Sequence, residues 1–423
     1  MARGQRKGVG FGTILVLLLA ILVVGAWSFG VFDRALYLMH VDSTRFEQLG
    51  SPERVTWTEL ADRGVNDESE GEGAGAAAAE ELLAVGYVYS QLDDADREKY
   101  LVLLDAFQTR EERAFPEIDL DDLSRIRDCV IADHPEFFYV NGVQMKTTTN
   151  SAIGLVTNVT VEGQYWLSAE ESATIQPQIE EAAATCMAGL PEGADDYAKA
   201  KYFYEYLAAN VEYDRSVILD GNGIYGMTSG QTVADALVGG NAVCAGYARA
   251  YQYLLQQTGV PCVFVTGVAK NEDHAWCVAY LDGDWYCIDP TWGDPQFLDE
   301  SGLDAGYGLV NYDYLCVTDA DLATTHAADC SYPLPECKAI ADNYFVREGL
   351  YLAEPDVDAA GAIVQDAVSQ DDVAVCFRCS DDGAYGYVTE ALFGGQEIYR
   401  FIPGSSCRYI LNDDMRTVVV LFA

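Results

Sequence analysis

The chain has 423 residues, and its 67 acidic residues outnumber its 25 basic residues, which gives a formal net charge of −42 and a pI near 4.1. This charge excludes electrostatic binding to nucleic acid, because the phosphate backbone would be repelled. Half of the residues are apolar and 12% are aromatic, so the chain is not a disordered acidic polymer and must form a packed core. At roughly 150 residues per domain, the length predicts two or three domains, or one large domain with additions at both ends.

The N-terminal segment has the pattern of a membrane anchor. Residues 1–8 hold three basic side chains, and no charged residue follows between Lys7 and Asp33. An uncharged stretch of this kind crosses a bilayer as a helix, with the basic end in the cytoplasm. We therefore expect a cytoplasmic tail, a single transmembrane helix at 9–32 that contacts the lipid bilayer, and an extracellular C-terminal part. A secretory signal cleaved near Ala26 is the alternative, although this stretch exceeds the ~7–15 apolar residues of such a signal.

The rest of the chain divides by composition and periodicity. Residues 33–82 end in an acidic, Ala- and Gly-rich run and are interpreted as a linker. Region 83–150 is predicted to be a helical accessory region, because apolar residues recur at helical spacing over 94–132. After 356, short apolar runs alternate with Gly and Asp turns, which predicts a small β-rich element at 356–423.

The region 151–355 is the predicted core domain. Ser168 and Glu171 form a capping-box pattern that predicts a helix start, and Pro177 is expected to kink that helix. Further patterns in and just before the core predict strands at 137–140 and 153–166 and a helix at 196–210.

The segment after residue 239 places a cysteine at a helix start. The residues 244–257 have helical periodicity, Asn241 is the expected N-cap, and Thr258-Gly259 is a typical helix stop. Cys244 therefore lies in the first turn, where free amides and the helix dipole stabilise a thiolate. Alone, this is weak evidence, because such a cysteine is commonly just a small buried residue.

The second informative segment is a predicted β-hairpin over 274–292. Aromatic and β-branched residues flank Asp282-Gly283, the strongest short-range hairpin signal. If these two residues form the loop, Asp289 lies on the diagonal from His274, with about 7–8 Å or less between the Cβ atoms. A hydrogen bond between imidazole and carboxylate is then possible. A three-residue loop would put the two side chains on opposite faces.

Together these segments offer the three groups of a thiol acyl-transfer site. Cys244 is the candidate nucleophile, His274 the candidate base, and Asp289 the carboxylate that orients the base. A core histidine and an Asp-Pro turn residue are the structural alternatives for the last two. Their occurrence in this order after a helix-start cysteine favours catalysis.

The motifs V-C-A-G-Y-A-R-A, G-V-P-C, H-A-W and D-P-T-W resemble the transglutaminase-like superfamily, in its bacterial extracellular branch. The resemblance extends over about 83–355 and implies an α+β, papain-like core, in which the helix carrying the cysteine packs on an antiparallel sheet. It assigns the same three roles to Cys244, His274 and Asp289.

The resemblance also implies that Trp276 and Trp292 pack beside the site. One oxyanion donor is expected to be the backbone amide of Cys244, and a second is expected from Gln231 or Tyr225 upstream.

The expected function is acyl transfer through a thioester at the cell surface, and hydrolysis of peptide or isopeptide bonds in a peptide or protein substrate is favoured. A transamidase that joins Gln and Lys side chains is one alternative. An inactive peptide-binding module, or a scaffold that assembles partners through 94–132, is another. No metal or organic cofactor and no nucleic-acid partner is expected.

The remaining cysteines and histidines are interpreted as structural. Cys330 and Cys337 flank two prolines, and an extracellular location would allow a disulfide between them. In the predicted hairpin Cys287 faces Val278, so it should not pair with Cys277. The isolated histidines are expected at the surface or at helix caps: His40, His134 and His326.

Overall fold

The computed structural model describes residues 79–80, 82–116, 119–150, 155–216, 230–294, 309–403 and 407–422. The predicted tail at 1–8, the predicted anchor at 9–32, nearly all of the linker, His40 and Tyr225 lie outside these ranges. Within them, no helix combines the length and the apolar composition needed to cross a bilayer. The described residues form helices and mainly antiparallel sheets, which confirms the α+β class.

The first unit packs three helices on a three-stranded sheet of order β1-β3-β2. Asp93 and Asp119 accept backbone N–H groups at the starts of α2 and α3, as N-cap aspartates do. The predicted helical pair at 94–132 is confirmed. The elements are α1 (Tyr87–Gln91), α2 (Asp94–Thr109), β1 (Arg113–Ala114), α3 (Leu120–Asp133), β2 (Val140–Asn150) and β3 (Leu155–Tyr165).

The strand expected at 137–140 is wrong. The chain turns through 139, and β2 begins only at Val140 and pairs with β3. Phe137 instead packs edge-on against Phe107 of α2, with 5.8 Å between ring centroids, so tertiary packing outweighs its strand propensity. The boundary expected at 150 also falls between two paired strands.

Two long helices lead into the core. The capping box at Ser168 is confirmed, and α4 (Ala169–Met187) continues through Pro177. The next helix, α5 (Asp196–Asn210), agrees with the predicted 196–210.

The core consists of one helix on a four-stranded sheet of order β8-β7-β6-β9. Helix α6 lies between α5 and strands β6 and β7. Side chains fix this position: Gln252 donates to the Cys262 carbonyl on β6, and Tyr251 donates to the Ala200 carbonyl on α5. The elements are β4 (Glu212–Tyr213), β5 (Asn241–Ala242), α6 (Cys244–Gln257), β6 (Cys262–Ala269), β7 (Glu272–Leu281), β8 (Asp284–Ile288), α7 (Asp319–Leu322) and β9 (His326–Ala328).

Both faces of this sheet are covered. Alternate residues such as Ala275 and Cys277 pack under α6, while Trp276 and Val278 point into a second apolar cluster on the other face. The alternation follows from the two-residue period of a strand. It explains why β6 and β7 read as nearly continuous apolar runs.

The C-terminal unit packs helices on a sheet of order β10-β11-β13-β12. The expectation of a β-rich element agrees with its strands but omits two helices that cover the sheet. The elements from residue 344 onward are α8 (Tyr344–Arg347), β10 (Tyr351–Leu352), α9 (Val357–Ser369), β11 (Ala374–Cys379), α10 (Asp382–Thr389), β12 (Arg408–Asn412) and β13 (Thr417–Leu421).

Candidate active site

Cys244 is the first residue of α6. Its helix has the predicted bounds, but the predicted N-cap is wrong: Val243 caps the helix with extended backbone and without a side-chain hydrogen bond. Asn241 lies in β5, paired with Glu212, so its backbone is used in a strand. Because Cys244 begins α6 and no side chain caps the helix, its thiol lies at the positive end of the helix dipole.

Gly246 allows this first turn to approach a neighbouring segment. The carbonyl of Gly230 accepts the N–H of Val243 at 2.8 Å, and a Cβ on Gly246 would lie 2.3 Å from that same carbonyl oxygen. Gly230 itself has φ +67°, in the left-handed region that favours glycine. The glycine of the C-A-G-Y motif is therefore required by close backbone contact.

The hairpin forms with the predicted register. Leu281 pairs with Asp284 and Cys277 with Ile288, across a loop in which Asp282 and Gly283 both have positive φ, as in a type I′ turn. His274 lies on β7, and Asp289 follows the end of β8.

The structure brings His274 and Asp289 into direct contact. The Nε2 of His274 lies 2.7 Å from Oδ2 of Asp289. The other carboxylate oxygen, Oδ1, accepts the backbone N–H groups of Thr291 at 2.9 Å and Trp292 at 3.3 Å. Asp289 is fully buried, and these donors replace the water that an ionised carboxylate loses on burial.

The charge of His274 is controlled by its neighbours. Burial disfavours the charged ring, but the negative charge of Asp289 and the hydrogen bonds to Asp289 and to the Cys244 thiol outweigh burial and raise the pKa of His274 to about 10. Since Nε2 binds Asp289, Nδ1 is the nitrogen left for the sulfur. Full burial alone would raise the pKa of Asp289, but the interactions with His274 and His326 hold it well below its usual range.

The structure adds one residue that sequence reasoning placed elsewhere. His326, expected at the surface or at a cap, is buried, with Nε2 3.1 Å from the same Oδ2 of Asp289. Its Nδ1 lies 2.7 Å from Oγ1 of Thr325. Strand β9 positions it, because His326 pairs with Ala269 at the end of β6. No local pattern pairs these two strands, so this contact could not be predicted from the sequence.

Two tryptophans surround the imidazoles. Ring centroids of Trp276 lie 6.3 Å from His274 and 5.1 Å from His326, and those of Trp292 lie 5.7 Å and 4.6 Å from the same rings. The Lys270 ammonium lies 5.2 Å from the Trp292 ring centroid. The aromatic wall keeps water from the imidazole–carboxylate pair, which strengthens its electrostatic coupling.

The oxyanion candidates lie next to this site in the chain. Gln231 is partly buried and follows Gly230, whose carbonyl binds the start of α6. Burial, together with the negative charges of Cys244 and Asp289, raises the pKa of Tyr213. This residue, which sequence reasoning missed, is therefore a neutral hydroxyl within electrostatic reach of the thiol.

The imidazole–carboxylate cluster is unsuited to a metal ion. His274, Asp289 and His326 place one donor atom each within 4.8 Å of one another. Tetrahedral nitrogen and oxygen ligands of zinc would be about 3.4 Å apart, given bond lengths of about 2.1 Å. The observed 2.7 Å and 3.1 Å are the lengths of N–H···O hydrogen bonds instead.

Comparison with known proteins identifies a family model and two relatives that match part of the chain. Residues 187–290 match the model of the transglutaminase-like superfamily. The kyphoscoliosis peptidases of Mus musculus and Homo sapiens are 27% and 26% identical to the chain over 116 residues, which is 25% of this chain and 17% of each relative. The chain therefore matches only a small part of these relatives' length.

A solved structure is also similar. The crystal structure of a TGase is 16% identical, with a TM-score of 0.26 over 35% of this chain and 51% of that chain. The family match covers residues 187–290, a narrower range than the 83–355 that the sequence motifs suggested.

Proposed function

We propose that this transglutaminase-like core is a thiol acyl-transfer enzyme that hydrolyses peptide or isopeptide bonds. Cys244 is the nucleophile, His274 the general base and then the general acid, and Asp289 the residue that orients and charges His274. One observation carries the proposal: His274 contacts a fully buried carboxylate at 2.7 Å, and the Cys244 thiol at the start of α6 contributes to the raised pKa of His274.

In the first half-reaction, the Cys244 thiolate attacks the carbonyl carbon of the scissile amide. A C–S bond forms while the carbonyl electrons move to oxygen, giving a tetrahedral oxyanion. The oxyanion collapses, the C–N bond breaks, and the leaving amine takes the proton from Nδ1 of His274. The product is a thioester on Cys244 and a free amine.

In the second half-reaction, His274 takes a proton from water, and the resulting hydroxide attacks the thioester carbonyl. The C–S bond then breaks, and the protonated His274 is left beside the regenerated thiolate. The substrate departs as a carboxylic acid, which loses its proton to solvent. Asp289 keeps the charged ring stable through both halves.

The backbone N–H of Cys244 is the first proposed donor to the oxyanion. It lies at the start of α6, where no side chain caps the helix. A second donor is needed to fix the oxyanion from the other side. Gln231 is the first candidate, because its neighbour Gly230 binds the start of the helix, and Tyr213 is the second.

Hydrolysis is preferred to transamidation because water is always available, while no sequence motif indicates a dedicated amine site. The relatives that match part of this chain are named kyphoscoliosis peptidases, which supports the same choice. Incubating the protein with a glutamine-containing protein and a labelled primary amine separates the two reactions. Amine incorporation without net cleavage would contradict the hydrolase proposal.

The proposed cellular place is the outer face of the membrane. The basic residues before the uncharged segment 9–32 support a single-pass anchor with the catalytic domain outside. Protease treatment of intact cells tests this. Without protease, we expect the domain in the membrane fraction. With protease added to intact cells, we expect the domain to be degraded. Protection from the protease contradicts the topology.

Activity-based labelling tests the chemistry. At neutral pH we expect iodoacetamide to modify Cys244 at least about 10-fold faster than the buried thiols, because the helix start and His274 favour the thiolate. Cys244→Ala should remove both the labelling and the amide cleavage. Cys262→Ser is the matched control, because Cys262 lies on β6, buried beneath α6, and should leave both unchanged. Equal labelling of all thiols with amide cleavage retained in Cys244→Ala would contradict Cys244 as the nucleophile, and no cleavage by the wild type would leave a peptide-binding module as the better interpretation.

A further inference from the structure

A second cluster of reactive side chains lies on the sheet face away from α6. It consists of Cys287 on β8, Asp319 at the start of α7 and Cys337 in the segment after β9. The sulfur atoms and one carboxylate oxygen all lie within 4.8 Å of one another. The two thiols are 2% and 1% exposed, whereas Asp319 is exposed and leaves a path from solvent.

The spacing of this cluster differs from that of the active-site histidines in a decisive way. Tetrahedral zinc holds sulfur at about 2.3 Å and carboxylate oxygen at about 2.1 Å, which puts those two ligands about 3.6 Å apart. Sγ of Cys287 lies 3.5 Å from Oδ1 of Asp319. These two atoms therefore have the separation expected of two zinc ligands, whereas the imidazole–carboxylate contacts of the active site are too short.

The three ligands are also held in place by their neighbours. Oδ2 of Asp319 accepts the N–H of Cys337 at 2.8 Å, which leaves Oδ1 directed at Cys287. The N–H of Asp319 binds the Cys337 carbonyl at 2.9 Å, and Cys287 and Val317 exchange two backbone hydrogen bonds of 2.9 Å. Second hydrogen bonds of this kind orient metal ligands and raise affinity.

The chemistry of the donors points to a soft divalent cation. Two thiols and a carboxylate are acidic groups, and their contact is unfavourable once a thiol ionises. A bound cation removes this conflict, and thiolate ligands select zinc over magnesium or calcium.

We propose that Cys287, Asp319 and Cys337 bind a structural zinc ion, with water as the fourth ligand. Both thiols lose their protons to solvent on binding, and no electron transfer takes place. The ion would join the strand that ends just before Asp289 to the segment that carries His326. It would thus hold the two sides of the buried carboxylate together. The proposal stands apart from the catalytic one, since it requires no activity.

The test measures metal content and cobalt binding in the reduced full chain. The Cys244→Ala background is used, so that the candidate nucleophile cannot bind metal. We expect one equivalent of zinc after dialysis, and thiolate-to-cobalt charge-transfer absorption when Co²⁺ replaces zinc. Asp319→Asn, at an exposed position, and Cys287→Ser should each weaken zinc binding by at least about 10-fold.

Cys262→Ser is the matched control, because Cys262 and Cys277 also form a close buried thiol pair, but the described residues place no carboxylate in a metal cluster with that pair. This variant should bind zinc as the parent does. Zinc binding that is equally weakened in Cys262→Ser, or unchanged in Cys287→Ser and Asp319→Asn, overturns the proposal. A Cys287–Cys337 disulfide found by mass spectrometry in metal-free protein isolated without reductant also overturns it.

Discussion

Replacing Asp289 by Asn tests how the buried carboxylate sets the charge of His274. The pKa of His274 rises from 6.5 to about 10, although burial lowers it, and Asp289 is the largest cause of the rise. This corresponds to a preference for the charged ring on the order of 5 kcal/mol. Because an Asn side chain is neutral while the ring stays buried, we expect Asp289→Asn to bring the pKa of His274 to 6.5 or below.

The chain has only 4 histidines, so nuclear magnetic resonance can follow the ring protons of each through a pH titration. His274→Gln assigns the signal. In the wild type this signal should titrate near pH 10, and in Asp289→Asn at 6.5 or lower. The alkaline limit of kcat/KM should move in the same direction, because the thiolate–imidazolium pair is lost once the ring deprotonates.

Asp273→Asn is the control for this experiment. It removes a charge at the neighbouring residue, which is exposed and on the opposite side of the strand, so the titration of His274 should hardly change. Equal effects of Asp273→Asn and Asp289→Asn, or a titration still near 10 in Asp289→Asn, would refute the reasoning. The raised pKa also stabilises the folded state fully below pH 6.5, and this contribution is lost as the pH rises through about 10.

Three further predictions concern stability and site geometry. His326→Leu should lower the free energy of unfolding by roughly 2–3 kcal/mol, because it removes an N–H donor to a carboxylate. His326→Gln keeps a donor and should recover most of this loss. Urea denaturation measures both, and equal losses in the two variants would contradict the prediction. Gly246→Ala should slow alkylation of the catalytic thiol at least about 10-fold, because the added methyl group meets the Gly230 carbonyl. Gly386→Ala in α10 is the control: the space there is open, so alkylation should not slow. Burial raises the pKa of Asp133 to about 6, so the stability of the wild type relative to Asp133→Asn should fall by about 2 kcal/mol between pH 4 and pH 7; a flat difference would refute it.

Local signals predicted the parts of the site that are close in sequence. The bounds of α6 follow from its periodicity and from the Thr258-Gly259 stop. The register of β7 and β8 follows from a loop whose residues tolerate positive φ. In both cases the relevant physical chemistry acts over a few residues, so a single sequence contains it.

The features that sequence reasoning missed depend on contacts between distant segments. Asn241 has the residue type of an N-cap, but pairing of β5 with β4 determines its backbone. His326 reaches Asp289 only because a three-residue edge strand pairs with β6. Cys337 was expected beside Cys330, but its thiol lies against Cys287 on β8. None of these contacts leaves a periodic trace in the sequence.

The two halves of the proposed site are positioned by separate interactions. The place of Cys244 depends on the contact of Gly246 with Gly230 and on the docking of α6, whereas the charge of His274 depends on Asp289 and its donors. A change at Gly246 should therefore reduce thiol reactivity while His274 still titrates well above pH 6.5, because Asp289 is the larger cause of its raised pKa. A change at Asp289 should lower the pKa of His274 while α6 stays in place. If both changes altered the titration of His274 equally, the helix and the sheet would form one cooperative unit, and the assignment of separate positioning roles would be wrong.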